Sequence, residues 1–191
     1  MRAKTFAAVA VSAALILAAA AYDGVFNPSD FVSGLTAFVS GSSSDPSATD
    51  SQRAAVKKAK SLLKTTNFSY SGLIKRLVKE KGCSTEDATY AADNCGADWN
   101  DQALGSAKSY LKIIWYSRSG LIEQLEHEGF DEDQATYAAD NCGADWMELA
   151  EKEAAEVMGI YSYSRAGLIE RLLNRGFTFE QAEHGADSQG L

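Results

Sequence analysis

Ala88-Thr-Tyr-Ala-Ala-Asp-Asn-Cys-Gly-Ala-Asp-Trp99 and Ala135-Thr-Tyr-Ala-Ala-Asp-Asn-Cys-Gly-Ala-Asp-Trp146 are the same twelve residues, 47 positions apart. A fixed period of this size marks an array of supersecondary units. Outward from the two copies, Ser71-Gly72-Leu73-Ile74 matches Ser119-Gly120-Leu121-Ile122. A weaker third copy runs from Ala166-Gly167-Leu168-Ile169 to Gln181-Ala182-Glu183-His184-Gly185-Ala186-Asp187. The units fall at 50–97, 98–144 and 145–191. The first has one extra residue, assigned to the turn around Gly82 and Cys83, and the third ends with the chain.

Each unit carries three helical signals, so the expected fold is all-α, a tandem array of three three-helix, helix-turn-helix-like repeats. The first helix of unit two has its apolar stripe at Ala103, Ala107, Tyr110, Leu111 and Ile114, the spacing of one helix face. Unit one offers Ala55, Ala59, Leu62 and Leu63, and unit three Ala150, Ala154, Val157 and Met158. The second helix follows Ser69, Ser117 or Ser164, good N-cap residues. It buries Leu121, Ile122 and Leu125 and stops at Gly82, Gly129 or Gly176, which suit a left-handed C-terminal position. The third helix opens at Ser84, at Asp131 with Gln134, or at Thr178 with Gln181, the last two in capping-box form. Its stripe is Ala88, Ala91, Ala92 and Cys95.

The end of the twelve-residue stretch is punctuation. Gly96 and Gly143 close a helix. Asp98 and Asp145 cap the next one, with Asp145 and Glu148 a further box-like pair. Trp99 and Trp146 are expected to bury their rings between neighbouring units, which would share a core and hold the array rigid.

The net charge of −8 is unevenly spread. Unit one has nine basic against five acidic residues, unit two three against nine, and unit three four against nine. The last two units therefore form an acidic body on a basic neck. One reading is solvated faces; the other is that the neck meets an anionic envelope and the body a basic partner.

Arg2 and Lys4 precede an apolar run from Thr5 to Ala21. This is the pattern of a secretory signal, with cleavage expected before Tyr22, or of an uncleaved membrane anchor. Either way the repeats are expected to be exported. The earliest cysteine is Cys83, so the cysteine of a bacterial lipid-attachment site is absent after the apolar run. Phe31, Val32, Leu35, Phe38 and Val39 are spaced for a short helix lying on the membrane or for the stub of an anchor. Residues 22–49 read as this juxtamembrane stretch and a linker, whose Ser/Gly/Asp/Pro composition runs from Ser40 to Ser51.

Catalytic chemistry has no residue pattern here. His127 and His184 do not recur at equivalent positions, no nucleophile motif or glycine-rich phosphate loop appears, and no cofactor or metal is expected. Asp93 to Asp98 lacks the spaced ligands of a calcium loop and reads as helix punctuation. Cys95 and Cys142 hold one apolar-stripe position in two units. They read as buried free cysteines, as does Cys83 in its turn, with disulfide pairing left open.

Two short helices joined by a tight turn raise DNA binding, but the acidic body and the export signal oppose it. The chain closely resembles the Ltp-like family of host cell surface-exposed lipoproteins. Tyr116-Ser-Arg-Ser-Gly-Leu-Ile-Glu-Gln-Leu-Glu126, the Gly129-Phe130 turn, the twelve-residue copies and the segment Phe177 to Leu191 carry the resemblance, over about 50–191. It implies tandem three-helix units outside the membrane and, from the founding phage-encoded type, superinfection exclusion: blocking DNA injection by an incoming phage through its tape-measure protein. The chain departs from the pattern in lacking the lipid-attachment cysteine and in having three units. The expected function is thus a non-enzymatic cell-surface binding protein that interferes with phage DNA entry. The alternative is an envelope protein whose basic unit binds wall polymer. The candidate partner-binding residues are Glu126, Glu128, Asp131, Glu132 and Asp133, with Glu180 and Glu183 in unit three and Glu123 and Glu170 on the same helices. The partner is expected to be a protein, with a membrane at the N-terminus if the signal is uncleaved, and no nucleic acid.

Overall fold

In the computed structural model, residues 46–191 are described. The apolar run, its cleavage site, the Phe31 to Val39 stripe and most of the linker lie outside them.

The described residues form helices and turns without strands. Unit one holds α1 (Asp50–Leu63), α2 (Tyr70–Lys81) and α3 (Thr85–Asn94). Unit two holds α4 (Trp99–Tyr110), α5 (Arg118–His127) and α6 (Glu132–Asn141). Unit three holds α7 (Trp146–Ile160), α8 (Arg165–Asn174) and α9 (Phe179–Ser188). The linker composition ends earlier than Ser51, because Thr49 caps α1 and forms a capping box with Gln52.

Every helix starts at a Ser, Thr or Asp whose side chain accepts from a first-turn amide, satisfying donors that the helix itself cannot. Asp131 with Gln134 and Thr178 with Gln181 close capping boxes. Asp145 accepts from the Met147 and Glu148 amides as a cap without the reciprocal bond, so the box expected there does not form. The extra residue of unit one lies in a helix, not in the turn: the left-handed glycine comes thirteen positions after the serine cap in unit one, Ser69 to Gly82, and twelve in the others, Ser117 to Gly129 and Ser164 to Gly176. The stripe of the first helix in unit two also ends sooner than its spacing predicts. α4 stops at Tyr110, Leu111 is its C-cap, and Ile114 sits in the following turn.

The first and third helices of each unit pack most closely. Small residues permit it: Ala55 and Ala59 meet Ala88, Ala91 and Ala92, and unit two repeats the arrangement with Ala103, Ala107, Ala135, Ala138 and Ala139. The second helix closes the core with Leu73 and Leu77, Leu121 and Leu125, or Leu168 and Leu172, all fully buried, each leucine contributing about 1.5–3 kcal/mol. Ile122 and Met158, expected in the core, are half-buried. A second clasp joins helices two and three in every unit. The residue after the serine cap bonds to an aspartate: Tyr70 to Asp93 at 2.8 Å, Arg118 to Asp140 at 2.7 Å, Arg165 to Asp187 at 2.8 Å.

The units do not share one core. Each has its own cluster of buried residues, and the substantial helix pairs all lie within a unit. Trp99 and Trp146 are half-buried, not enclosed between units. Trp99 packs on the core of unit one and meets Tyr70 edge-on at 5.5 Å. Trp146 touches the cores of units two and three, as does Leu111. Gly96 and Gly143 take positive φ, 73° and 78°, turning the chain between units as expected.

Candidate docking surface

The joints between units are made by serines. Ser69 accepts from the Gly72 amide as the cap of α2, and its hydroxyl donates to the Glu128 carbonyl at 2.6 Å, 59 residues on. Ser117 caps α5 and donates to the Arg175 carbonyl at 2.7 Å. Ser71 and Ser119 add bonds to the Gly129 and Gly176 carbonyls at 3.4 and 2.8 Å. The acceptors lie in turns where glycine is required twice over. Gly129 and Gly176 have φ of 92° and 83°, and a Cβ at either would stand 2.2 Å from a serine Oγ. The loop before each serine rests on the next unit's first helix: Asn67 against Gly105, Trp115 beneath the Lys152 ammonium at 5.1 Å.

The same α5–α6 turn carries the candidate carboxylates. Glu126, Glu128, Asp131, Glu132 and Asp133 are exposed. None is within 4 Å of a basic group among the ion pairs of the described residues. Asp131 is the cap of α6, and Glu132 and Asp133 occupy its first turn, where the helix dipole favours negative charge. That structural role explains three of the five. Glu126 and Glu128 sit at the C-terminal end of α5, where the dipole opposes anions, so helix stability does not account for them.

Glu128 stands apart from the rest. It lines a cleft of about 360 Å³ with Lys75, Arg76, Lys79 and His127, so the cations of unit one face it. It also lines a second cleft of about 260 Å³ beside Tyr110. Burial and a hydrogen bond to the Glu128 carboxylate raise the Tyr110 phenol above its usual range. The exposed carboxylates left at the α5–α6 junction of unit two are therefore Glu126, Asp131, Glu132 and Asp133. On unit three, Glu180 is exposed in the first turn of α9. Glu183 is half-buried and 3.7 Å from Arg165, which already holds Asp187, so it is a partly neutralised group. Glu123 lines a cleft of about 760 Å³ at the second joint, together with Trp115, His127 and Arg175. Glu170 is exposed.

The cysteines are free. Cys95 is buried and its thiol donates to the Ala92 carbonyl. Cys142 and Cys83 are half-buried, more open than their apolar positions imply. Among the described residues no cluster of three His, Cys, Asp or Glu side chains could hold a metal, and no helix is long and apolar enough to cross a membrane.

The joints were the feature sequence reasoning missed. The signal was present: Ser69-x-Ser71 and Ser117-x-Ser119 carry a second serine that capping does not need.

The family model described as host cell surface-exposed lipoprotein matches residues 50–95 and 98–142. No curated protein matches the chain. Among solved structures it is similar to Ltp, a superinfection exclusion protein from the Streptococcus thermophilus temperate phage TP-J34. The two are 34% identical over 49% of this chain and 97% of that one, with a TM-score of 0.48.

Proposed function

Because the chain belongs to the Ltp-type family of host cell surface-exposed lipoproteins, we propose that it is a non-enzymatic docking protein of the cell surface that interferes with phage DNA entry. The observation that carries this reading is the acidic face of unit two. Four exposed carboxylates at one helix junction, Glu126, Asp131, Glu132 and Asp133, have no ion-pair partner among the described residues. Their potentials add, which attracts a basic segment and speeds encounter. A basic segment of an incoming phage's tape-measure protein, the partner the family resemblance implies, would suit such a face. The N-terminal apolar run would direct the polypeptide out of the cell, either as a signal cleaved before Tyr22 or as a retained anchor.

Expression in a phage-sensitive host, with adsorption and DNA entry measured separately, tests the proposal. Normal adsorption with reduced entry is expected. Normal entry across a panel of phages overturns it.

A second reading rests on unit one, where Lys57, Lys75, Lys79 and Lys81 are exposed. They would bind an anionic wall polymer. Co-sedimentation of the full chain with purified cell walls separates the two readings. Binding that disappears when these lysines become glutamine, in a chain that leaves phage entry untouched, favours the wall.

A further inference from the structure

We infer that the outer edge of unit three is a docking edge for unit one of a second copy of this chain. The joint between units repeats: the serine edge of one unit takes the glycine turn of the next, twice over with the same atoms. Unit three carries the serine edge again. Ser164 caps α8 by accepting from the Gly167 amide, as Ser69 and Ser117 do for their helices. Those two serines are 2% and 1% exposed, whereas Ser164 is exposed.

Unit one carries the matching turn. Gly82 is left-handed at φ 64°, like Gly129 and Gly176, but a Cβ there would meet nothing within 4 Å. The Lys81 carbonyl, which precedes this glycine as those of Glu128 and Arg175 precede theirs but still lies in α2, accepts the Lys58 ammonium at 2.8 Å. A carbonyl has two lone pairs, so a serine hydroxyl can join it. A contact of this kind is heterologous, so it cannot end at a two-fold dimer and joins copy to copy head to tail.

Charge and ring chemistry favour the pairing. The turn of unit one exposes Lys79 and Lys81, and the edge of unit three exposes Glu170, at the place of Glu123, which lines the second joint with Arg175. Lys57 holds the position of Lys152, the cation over Trp115. The unit-three edge offers the Tyr161–Tyr163 ring pair to such a cation. Ala166 replaces Ser119 on this edge, so the intermolecular joint has one hydroxyl fewer than the internal one. It should form at the high local density of a tethered protein.

Sedimentation velocity of the full chain in detergent micelles, over a rising concentration series, tests this. A sedimentation coefficient that keeps growing, more so at low salt, is expected. Glu170→Lys alone and Lys79→Glu/Lys81→Glu alone should abolish growth, and an equimolar mixture of the two should restore it. Ser164→Asp keeps an acceptor for the cap but loses the donor, and should also abolish growth. Unchanged helicity by circular dichroism is the control for each variant. Concentration-independent sedimentation of the parent overturns the inference. So does a plateau at a closed dimer, or growth that the charge variants retain.

Discussion

The hydroxyl of Ser117 faces two helices at once: it accepts from Gly120 in its own unit and donates to the Arg175 carbonyl of the next. One side chain thus starts a helix and fixes the position of another 58 residues away. Replacing Ser117 with Ala should cost about 2 kcal/mol, roughly 1 for the cap and roughly 1 for the joint. Ser164→Ala, which within one chain removes only a cap, should cost about 1 kcal/mol at a protein concentration where copies do not associate. Urea unfolding of both variants measures the difference, and equal losses would mean the joint contributes nothing.

The glycine turns should respond unequally to one methyl group. Gly82→Ala meets open space and should cost only the left-handed penalty of about 1–2 kcal/mol. Gly129→Ala adds a collision with the Ser71 hydroxyl and should cost about 2–5 kcal/mol in all. Thermal melts of the two variants rank them; the reverse order would refute the joint geometry.

The two tryptophans lie in identical sequence yet should not be equivalent. Both are half-buried, so truncation to Ala should fall short of the roughly 3–5 kcal/mol of an enclosed ring. Trp146 touches two cores and Trp99 one, so Trp146→Ala should be the more damaging in denaturant titrations. Equal effects would place both rings in the same environment.

Arg118 holds the Asp140 carboxyl below its ordinary range, chiefly through their hydrogen bond. A depressed carboxylate contributes stability above its unfolded pKa and loses it as pH falls through the folded one. The contribution is therefore present at neutral pH and fades below about pH 4. Both partners are more than two-fifths exposed, so solvent limits it to about 0.2–1 kcal/mol. Asp140→Asn should show that deficit at neutral pH and none in strong acid. A deficit that persists in acid would point to packing instead.

Neutralising the acidic face should separate binding from folding. Glu126→Gln, Asp131→Asn, Glu132→Gln and Asp133→Asn together keep an N-cap at residue 131, and should abolish the block to DNA entry while helicity stays. Each alone should matter little, because single exposed charges contribute little. A fourfold variant that folds and still protects cells would make the face a solvated surface.

The fold was legible because its signals are local. Alanine stripes, serine and aspartate caps and terminal glycines each act within one turn of helix, and the period of 47 multiplies them. The joints were not legible in the same way. They depend on which carbonyl a cap serine meets more than 55 residues away, and no spacing within a helix encodes that. The acidic turn was legible as composition, but the lysines facing Glu128 across a cleft were not. Position 58 shows the limit best. Its equivalents are Ser106 and Glu153, so nothing in a repeat alignment marks Lys58 as the donor to the Lys81 carbonyl or Glu153 as the buried partner of Arg175 at 2.9 Å.

Unit two alone has both halves of the joint engaged, its glycine turn by unit one and its serines by unit three. A copy of residues 98–144 inserted after Ala144 would meet a Ser117 hydroxyl on one side and offer its own on the other. The gene can thus lengthen in steps of 47 codons, each step adding one unit to the array without any new surface having to evolve.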